Sequence, residues 1–252
     1  MKKEDIIFLI LVRLDSIERL ENLLSVTDYI SSYCFPVVVW ESATFCNNIL
    51  KKNLNKNIRY EFFQDYDPIL FRTKYLNQMV QAVKSPFIAI WDCDVIVPSE
   101  QIFKAMKLLS DFSSDFVIPY EKHCFDTSPI LRKLFLGRMN IDILEQNKNK
   151  MKEIYSPNPL GGAFMANREA YIEAGMENED FYGWGLEDGE RFFRWKSKQY
   201  KIERILGPLY HLSHGRGLNS MYHNPDQRFL KQKEVLKTMR LVENEQFKLN
   251  ID

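Results

Sequence analysis

Residues 87–98 read Phe-Ile-Ala-Ile-Trp-Asp-Cys-Asp-Val-Ile-Val-Pro, and this stretch decides the fold. A short apolar run that ends in acid is typical of a strand buried on both faces of a sheet. In open sheets of parallel strands, ligands bind beyond the carboxyl ends of the strands. Asp92 and Asp94 stand at that end. The sequence therefore predicts an α/β fold with an acidic ligand site directly after this strand.

The chain before this stretch alternates between strand and helix patterns. A loose capping box of Asp15 and Glu18 predicts a helix start, and apolar residues recur at helical spacing over 70–83. Strands are predicted at Ile6–Val12, 35–40 and 58–63. Alternation of this kind indicates a sheet with parallel strands, flanked by helices.

The pattern changes after residue 121. A helix over 99–110 and a strand over 115–120 precede an irregular insertion at 121–160, which contains one helical stretch. Asn167 can cap a short helix that Gly175 closes, and a charged helix is predicted from about Pro225. Without a repeat or a linker, the 252 residues are predicted to form one domain with two halves, 1–120 and 121–252.

Composition excludes several classes of protein. The 34 basic residues balance the 34 acidic ones, which argues against bulk binding of nucleic acid. The four cysteines show no CxxC spacing, as expected for reduced thiols in a cytoplasmic protein. The longest apolar run, Ile6–Val12, is far shorter than the ~20 residues of a membrane span. We therefore expect a cytoplasmic enzyme or binding protein.

Two motifs offer metal ligands. Asp92 and Asp94, two residues apart on a turn, can face one hard cation, although such a pair can also be a solvated loop. His211 and His214 are three residues apart, which on a helix or tight turn places both rings on one side. The remaining histidines, His123 and His223, lack such neighbours and are interpreted as structural.

Two glycine-containing motifs add further candidates. Residues 181–190 read Phe-Tyr-Gly-Trp-Gly-Leu-Glu-Asp-Gly-Glu, in which glycines on both sides of Trp184 permit unusual backbone angles. Glu187 and Asp188 follow at a helix start, where carboxylates are favoured. Gly161 and Gly162 precede a strand and permit a ligand to approach the backbone, although the pair by itself is equally an ordinary turn.

Together these motifs resemble the β-1,4-galactosyltransferase family and, more broadly, nucleotide-sugar glycosyltransferases of the GT-A fold. Asp92-Cys93-Asp94 is similar to the family's Asp-x-Asp motif, and residues 161–190 to its Gly-Gly…Trp-Gly-Trp-Gly-x-Glu-Asp region. The weaker matches are an arginine-containing segment at 13–20, Arg-x-x-x-Leu-Asn at 72–77, and His214 followed by Asn-Pro-Asp-Gln-Arg-Phe at 224–229.

The resemblance implies a Rossmann-like mixed sheet and a bacterial enzyme, with a nucleotide-binding half (1–120) and an acceptor-binding, catalytic half (121–252). It implies an inverting, metal-dependent transfer of galactose, N-acetylgalactosamine or a related sugar from a UDP-sugar to a saccharide. The site residues follow from the same resemblance: Asp188 as the catalytic base with Glu187 beside it; Asp94, His211 and His214 as metal ligands; Asp92, Arg13, Arg72 and Gly162 at the donor; Trp184, Gly185 and Tyr182 at the acceptor.

The sequence departs from the family pattern at several positions. Tyr182 replaces the first tryptophan, Gly189 replaces an acid, and His211 stands where the family often has methionine. Because imidazole is a harder ligand than a thioether, the site is expected to take Mn²⁺ and to tolerate Mg²⁺. Pro159 lies where family members carry a residue that helps to choose between galactose and N-acetylgalactosamine. The resemblance therefore does not decide which sugar is transferred or which sugar accepts it.

Two alternatives remain. A sugar nucleotidyltransferase would carry an early glycine-rich phosphate loop, and residues 12–20 contain no glycine. A non-catalytic glycan-binding module would explain Tyr182 and Gly189, but the retained acids and histidines argue against it. A role in surface polysaccharide synthesis, with an oligosaccharide or lipid-linked acceptor at the inner face of the membrane, fits the resemblance.

Overall fold

The computed structural model describes residues 2–222 and 224–249, with side chains to residue 241. The strands are β1 (Ile6–Val12), β2 (Val37–Ala43), β3 (Arg59–Gln64), β4 (Phe87–Trp91), β5 (Val95–Ile96), β6 (Phe116–Ile118), β7 (Cys124–Asp126), β8 (Lys152–Ile154), β9 (Ala163–Asn167), β10 (Ile202–Arg204) and β11 (Leu209–His211). The helices are α1 (Ile17–Ser32), α2 (Ile49–Asn53), α3 (Arg72–Ala82), α4 (Ser99–Ser110), α5 (Pro129–Arg138), α6 (Asp142–Glu145), α7 (Arg168–Glu173), α8 (Glu187–Ser197) and α9 (Pro225–Leu249).

A seven-stranded mixed sheet forms the centre of the fold, in the order β10-β6-β9-β4-β1-β2-β3. Strands β4, β1, β2 and β3 are parallel, as the alternating pattern predicts. Strand β9 runs antiparallel to both β4 and β6. The predicted mixed α/β sheet with flanking helices is confirmed, and the predicted strands β1 and β4 have the bounds expected from sequence.

Strand β1 shows why these runs are apolar throughout. Phe8 and Ile10 pack in one core cluster, together with Leu23 of α1. Leu9 packs in a second cluster, on the other face of the sheet, with Leu76 of α3. Each such burial contributes about 1.5–3 kcal/mol, so a polar residue on either face of β1 would be costly.

A four-stranded sheet, ordered β5-β11-β7-β8, lies beside the acidic motif. Strand β5 follows Asp94 directly and pairs with β11, which in turn pairs with β7. The sequence predicted an irregular insertion with one helical stretch over 121–160. Helix α5 is such a stretch, but the segment is more regular than predicted because β7, α6 and β8 also lie within it. These strands have only three residues each, too few for a periodic signal.

The predicted cap of helix α7 is confirmed, and the predicted cap of α1 is wrong. Asn167 caps α7 by accepting from the backbone of Glu169 and Ala170, and Gly175 follows at φ +94°, as predicted. The cap of α1 is Ser16, which accepts from the Arg19 backbone, so the predicted Asp15 capping box is wrong. Among the described helices, none combines the length and the apolar character that crossing a membrane requires.

Candidate active site

A cavity of about 490 Å³ opens beyond the carboxyl ends of β1 and β4, where the sequence predicted a ligand site. Five segments form its wall: residues 11–13, 92–95, 155–162, 184–189 and 209–222, with Arg19 and Arg72 reaching in from α1 and α3. The predicted metal, donor and catalytic residues line this one cavity, whereas Tyr182 is absent from its wall.

Asp94, His211 and His214 form a compact cluster in this cavity. Their potential ligand atoms all lie within 4.8 Å of one another. The His214 Nε2 atom is 3.0 Å from Asp94 Oδ2, and the His211 Nε2 atom is 3.9 Å from Asp94 Oδ1. Both histidines thus present the same nitrogen toward one carboxylate, an arrangement that suits a shared cation.

The opposite ring nitrogens of both histidines have hydrogen-bond partners. His211 Nδ1 lies 2.7 Å from the Asp126 carboxylate, and His214 Nδ1 lies 2.7 Å from the Gly215 carbonyl oxygen. These acceptors favour a proton on Nδ1 and fix both rings with Nε2 facing Asp94, so that each Nε2 can bind a cation once it carries no proton. The donor set of one carboxylate and two oriented imidazoles therefore fits a divalent metal ion.

Strand pairing explains how these residues meet. His211 is the last residue of β11 and stands opposite Val95 on one side and Asp126 on the other. The Leu212 amide then donates to the Asp94 carbonyl, which brings His214 back over the cluster. The histidines were expected on a helix or tight turn; instead they lie at a strand end and in the loop that follows.

Arg19 is a neighbour of the cluster that the sequence did not single out. It is buried, binds Asp15 at 2.8 Å and lies 3.9 Å from Asp94 Oδ2. Burial alone would raise the pKa of Asp94, but the hydrogen bond from His214 and the charges of His211, His214 and Arg19 lower that pKa below its usual range. Asp94 is therefore held as a carboxylate.

Asp92 has different surroundings although it is only two residues away. Its carboxylate is paired with Arg72, the first residue of α3, and its amide donates to the Gly162 carbonyl. Burial raises the pKa of Asp92 to about 6, opposed by Arg72 and reinforced by the nearby charge of Asp94. Of the predicted donor-binding residues, Asp92, Arg72 and Gly162 thus lie together in the cavity.

Arg13, the fourth predicted donor-binding residue, lines the cavity but is already bound. Its guanidinium donates to the backbone or side chains of Ser42, Asp65 and Asp67. Tyr182 belongs to the same group of contacts, because its hydroxyl donates to Asp67 at 2.6 Å. These two residues tie loops together, and the structure does not bring Tyr182 to the acceptor side of the cavity.

The Gly-Trp-Gly loop is fastened to helix α9. Gly183 and Gly185 have φ of +75° and +104°, and a side chain at 185 would collide with the ring of Tyr222. The buried Lys231 of α9 donates to the Trp184 carbonyl at 2.7 Å. Trp184 and Gly185 of this loop both line the cavity.

Glu187, the first residue of α8, is buried with one carboxylate oxygen unpaired. Its Oε2 atom has no hydrogen-bond partner among the described residues. Burial and the adjacent charge of Asp188 raise the pKa of Glu187 to about 7, although Arg72 and Lys231 oppose this shift. An unpartnered carboxyl in a cavity wall is suited to bind a hydroxyl of a ligand.

Asp188 is held by one of its two oxygens. Oδ1 accepts a hydrogen bond from Arg191 at 2.6 Å, one helical turn away. Oδ2 lies against Gly161, where a Cβ would collide with it. Gly161 therefore makes room for the carboxylate, and Oδ2 stays available at the cavity wall. The sequence identified Asp188, but it did not indicate the role of Gly161 or of Arg191.

The remaining histidines lie apart from this cluster or outside the described residues. His123 is exposed and pairs with Glu153 at 3.1 Å. His223 is not among the described residues. Among the side chains that the structure describes, Asp94, His211 and His214 are therefore the only group placed to bind a metal ion together.

Comparison with known protein families gives one match. Residues 139–216 match the family model described as the N-terminal domain of galactosyltransferase. This segment includes Gly162, Glu187, Asp188 and both clustered histidines. No curated protein sequence matches the chain at a significant level.

Solved structures show the fold. Glucosyl-3-phosphoglycerate synthase from Mycobacterium tuberculosis, in complex with Mn²⁺, UDP and phosphoglyceric acid, aligns with a TM-score of 0.55 at 15% identity, covering 94% of this chain and 78% of that one. The catalytic domain of Drosophila β-1,4-galactosyltransferase 7, in complex with xylobiose, aligns with a TM-score of 0.55 at 14% identity, covering 90% and 79%. A variant of that Drosophila enzyme with manganese, UDP-Gal and xylobiose gives 0.54 at 14%, covering 89% and 79%. The chain has the GT-A fold, and together with the family match this supports a glycosyltransferase.

Proposed function

We propose that the protein is an inverting, metal-dependent glycosyltransferase that moves a hexose or N-acetylhexosamine from a UDP-sugar to a saccharide acceptor. One observation carries this proposal: a single cavity holds both the Asp94, His211 and His214 cluster and the carboxylate of Asp188, whose Oδ2 accepts no hydrogen bond from the described residues. Transfer needs a site for the departing diphosphate and a base for the attacking hydroxyl, and the cavity offers both.

Asp94, His211 and His214 would hold the divalent ion, which when bound neutralises charge on the leaving diphosphate. The oriented imidazoles and the ionised Asp94 support this assignment. Mn²⁺ is the first candidate, since similar folds bind it, and Mg²⁺ is the second. Asp92 would contact the sugar or ribose of the donor, and Arg72 would lie near its diphosphate. Gly162, with φ of +95°, would let the backbone approach the donor. Arg13 would shape the donor side indirectly, by fixing the loops near it.

Asp188 would take the proton of the acceptor hydroxyl as that oxygen attacks the anomeric carbon. A positioned base of this kind contributes ~10²–10⁴-fold to the rate. A single displacement, with no covalent intermediate on the enzyme, inverts the anomeric centre. Glu187, with its unpaired oxygen, would bind a sugar hydroxyl beside the base, and Trp184 and Gly185 would form the acceptor platform.

The proposal also covers the donor and acceptor sugars. Galactose and N-acetylgalactosamine are the favoured donors, because the resemblance to galactosyltransferases is carried by residues that line this cavity. The acceptor would be an oligosaccharide or a lipid-linked saccharide of a surface polysaccharide. A cytoplasmic location, with peripheral contact to the inner face of the membrane in a bacterial cell, would follow from such an acceptor.

Calorimetric titration tests the proposal. UDP-glucose, UDP-galactose and their N-acetylamino forms are titrated into the protein with and without Mn²⁺. We expect one or more of them to bind only with the metal. Absence of binding under both conditions would contradict a transferase. Binding of saccharides alone would favour a glycan-binding module, and release of pyrophosphate from UTP with a sugar 1-phosphate would favour a nucleotidyltransferase.

A further inference from the structure

Arg191 occupies a position that the transfer mechanism leaves unexplained. It lies on α8, three residues after Asp188, and its side chain is only 4% exposed. We propose that Arg191, locked in place by the buried Glu177, is the positioning residue of the catalytic carboxylate of Asp188. This inference rests on the proposed function, in which Asp188 is the base.

The guanidinium of Arg191 joins two carboxylates. Nη1 donates to both oxygens of Glu177 at 2.8 Å, and Nη2 donates to Asp188 Oδ1 at 2.6 Å. The guanidinium group also lies 4.3 Å from the centroid of the Phe164 ring and 5.3 Å from that of Trp195. The hydrogen bonds therefore fix the guanidinium within its own plane, and the two rings restrict its movement out of that plane. An arginine on a surface helix has no such restraints.

Glu177 is itself held from several sides. Its side chain is 1% exposed, and the Tyr171 hydroxyl donates to it at 2.8 Å. Its backbone exchanges two hydrogen bonds with the Asn77 side chain, at 2.9 and 3.0 Å. Asn77 lies on α3, the helix whose first residue, Arg72, pairs with Asp92. One helix thus supports the acid on the donor side and, through Glu177 and Arg191, the base.

This arrangement gives Asp188 the geometry that a general base needs. Arg191 occupies Oδ1, and Oδ2 is directed past Gly161 at the cavity wall. Among the described residues, Arg191 alone donates a hydrogen bond to the Asp188 carboxylate. Without Arg191 the carboxylate can rotate, and a displacement of about 1 Å at a reacting atom can cost ~10²-fold in rate.

The test compares Arg191→Lys with Arg194→Lys. Lysine keeps the charge but cannot bind Glu177 and Asp188 together in the fork of a guanidinium. Arg194 is a matched control, because it lies three residues further along α8, pairs with Glu190 and two backbone carbonyls, and does not contact Asp188. Release of UDP from the four UDP-hexoses is measured with Mn²⁺, together with Tm.

We expect Arg191→Lys to lower kcat by ~10²-fold with KM for the donor unchanged, and Arg194→Lys to keep kcat within about twofold. Glu177→Gln keeps Arg191 and is expected to lower kcat by ~10-fold, so it carries the test if Arg191→Lys fails to fold. Full kcat in Arg191→Lys, or equal losses in both arginine variants, would overturn the inference.

Asp188→Asn separates this inference from the proposed function. Loss of UDP release in Asp188→Asn, with full kcat in Arg191→Lys, would remove the positioning role and leave Asp188 as the base. Full activity of Asp188→Asn would instead remove the base itself. No UDP release by the unaltered protein, in parallel with no donor binding, would count against the transferase.

Discussion

The cavity contains two pairs of acids, Asp92 with Asp94 and Glu187 with Asp188, that look alike in sequence and differ in structure. In each pair one carboxylate lies next to cationic partners: Asp94 beside two histidines and Arg19, and Asp188 beside Arg191. The other member has a raised pKa, Asp92 to about 6 although Arg72 pairs with it, and the buried Glu187 to about 7. The surroundings of each carboxylate, not its residue type, thus distinguish the two members of each pair.

Asp188→Asn is expected to have the largest effect on turnover. Asparagine keeps the shape of the side chain but cannot accept the proton of the acceptor hydroxyl. We expect the transfer rate to fall by ~10²–10⁴-fold. The rate of sugar transfer at saturating donor measures this effect. A near-normal rate would show that another group acts as the base.

Gly161→Ala tests the position of Asp188 without changing any charge. The added Cβ would collide with Asp188 Oδ2 and displace it, so we expect kcat to fall by ~10–100-fold. Gly137→Ala is the matched control, because a Cβ there meets no atom within 4 Å and Gly137 is exposed on α5, outside the cavity wall. In helix α5 this alanine should add up to about 1 kcal/mol of stability and leave kcat unchanged. Equal kcat in the two variants would contradict the close packing of Asp188 on Gly161.

Asp126→Asn tests the orientation of the metal ligands. The Asp126 carboxylate binds His211 Nδ1, and loss of such a partner typically costs ~10–100-fold in metal affinity. Glu153→Gln is the control, since Glu153 makes the same contact with His123 away from the cluster. Mn²⁺ affinity is measured by calorimetry. An unchanged affinity in Asp126→Asn would mean that the His211 ring is oriented by other contacts.

Glu187→Gln is expected to change the pH dependence of stability. The pKa of Glu187 is raised from 4.5 to about 7 in the folded state, so its burial weakens the fold as pH rises from about 4.5 through 7. Glutamine cannot ionise. At pH 8 we expect the variant to be more stable by about 1–2 kcal/mol, with a smaller difference near pH 5.

Denaturant unfolding at both pH values measures this difference. The exposed Glu203 of β10 supplies the control, and Glu203→Gln should leave the free energy of unfolding unchanged at either pH. A gain for Glu187→Gln that is equal at pH 5 and pH 8 would show that its ionisation is not the cause.

The comparison also shows what the sequence could predict. Strands β1 and β4 were predicted with their observed bounds, because a strand buried on both faces is apolar throughout. Asp94, His211, His214, Asp92, Arg72 and Asp188 were assigned to one site, and the structure places them around one cavity. One helical stretch was predicted in the insertion at 121–160, but β7 and β8 were missed because three-residue strands carry too little periodic signal.

The supporting residues were missed for different physical reasons. Arg191 lies three residues after Asp188 on the same helix face, so helical spacing could have indicated their contact. Arg19 is likewise four residues after Asp15, which it binds. Asp126 and Glu177 offered no local signal, because their partners are distant in sequence and meet them only through the tertiary fold.

Binding of UDP-sugars to Asp94→Asn and Asp188→Asn, measured by calorimetry with Mn²⁺ present, most directly tests the division of roles between the two acid pairs. We expect Asp188→Asn to bind the donor with the affinity of the unaltered protein. We expect Asp94→Asn to lose the metal-dependent part of that affinity. Donor binding that is unchanged in Asp94→Asn, or lost in Asp188→Asn, would contradict the assignment of metal ligand and base.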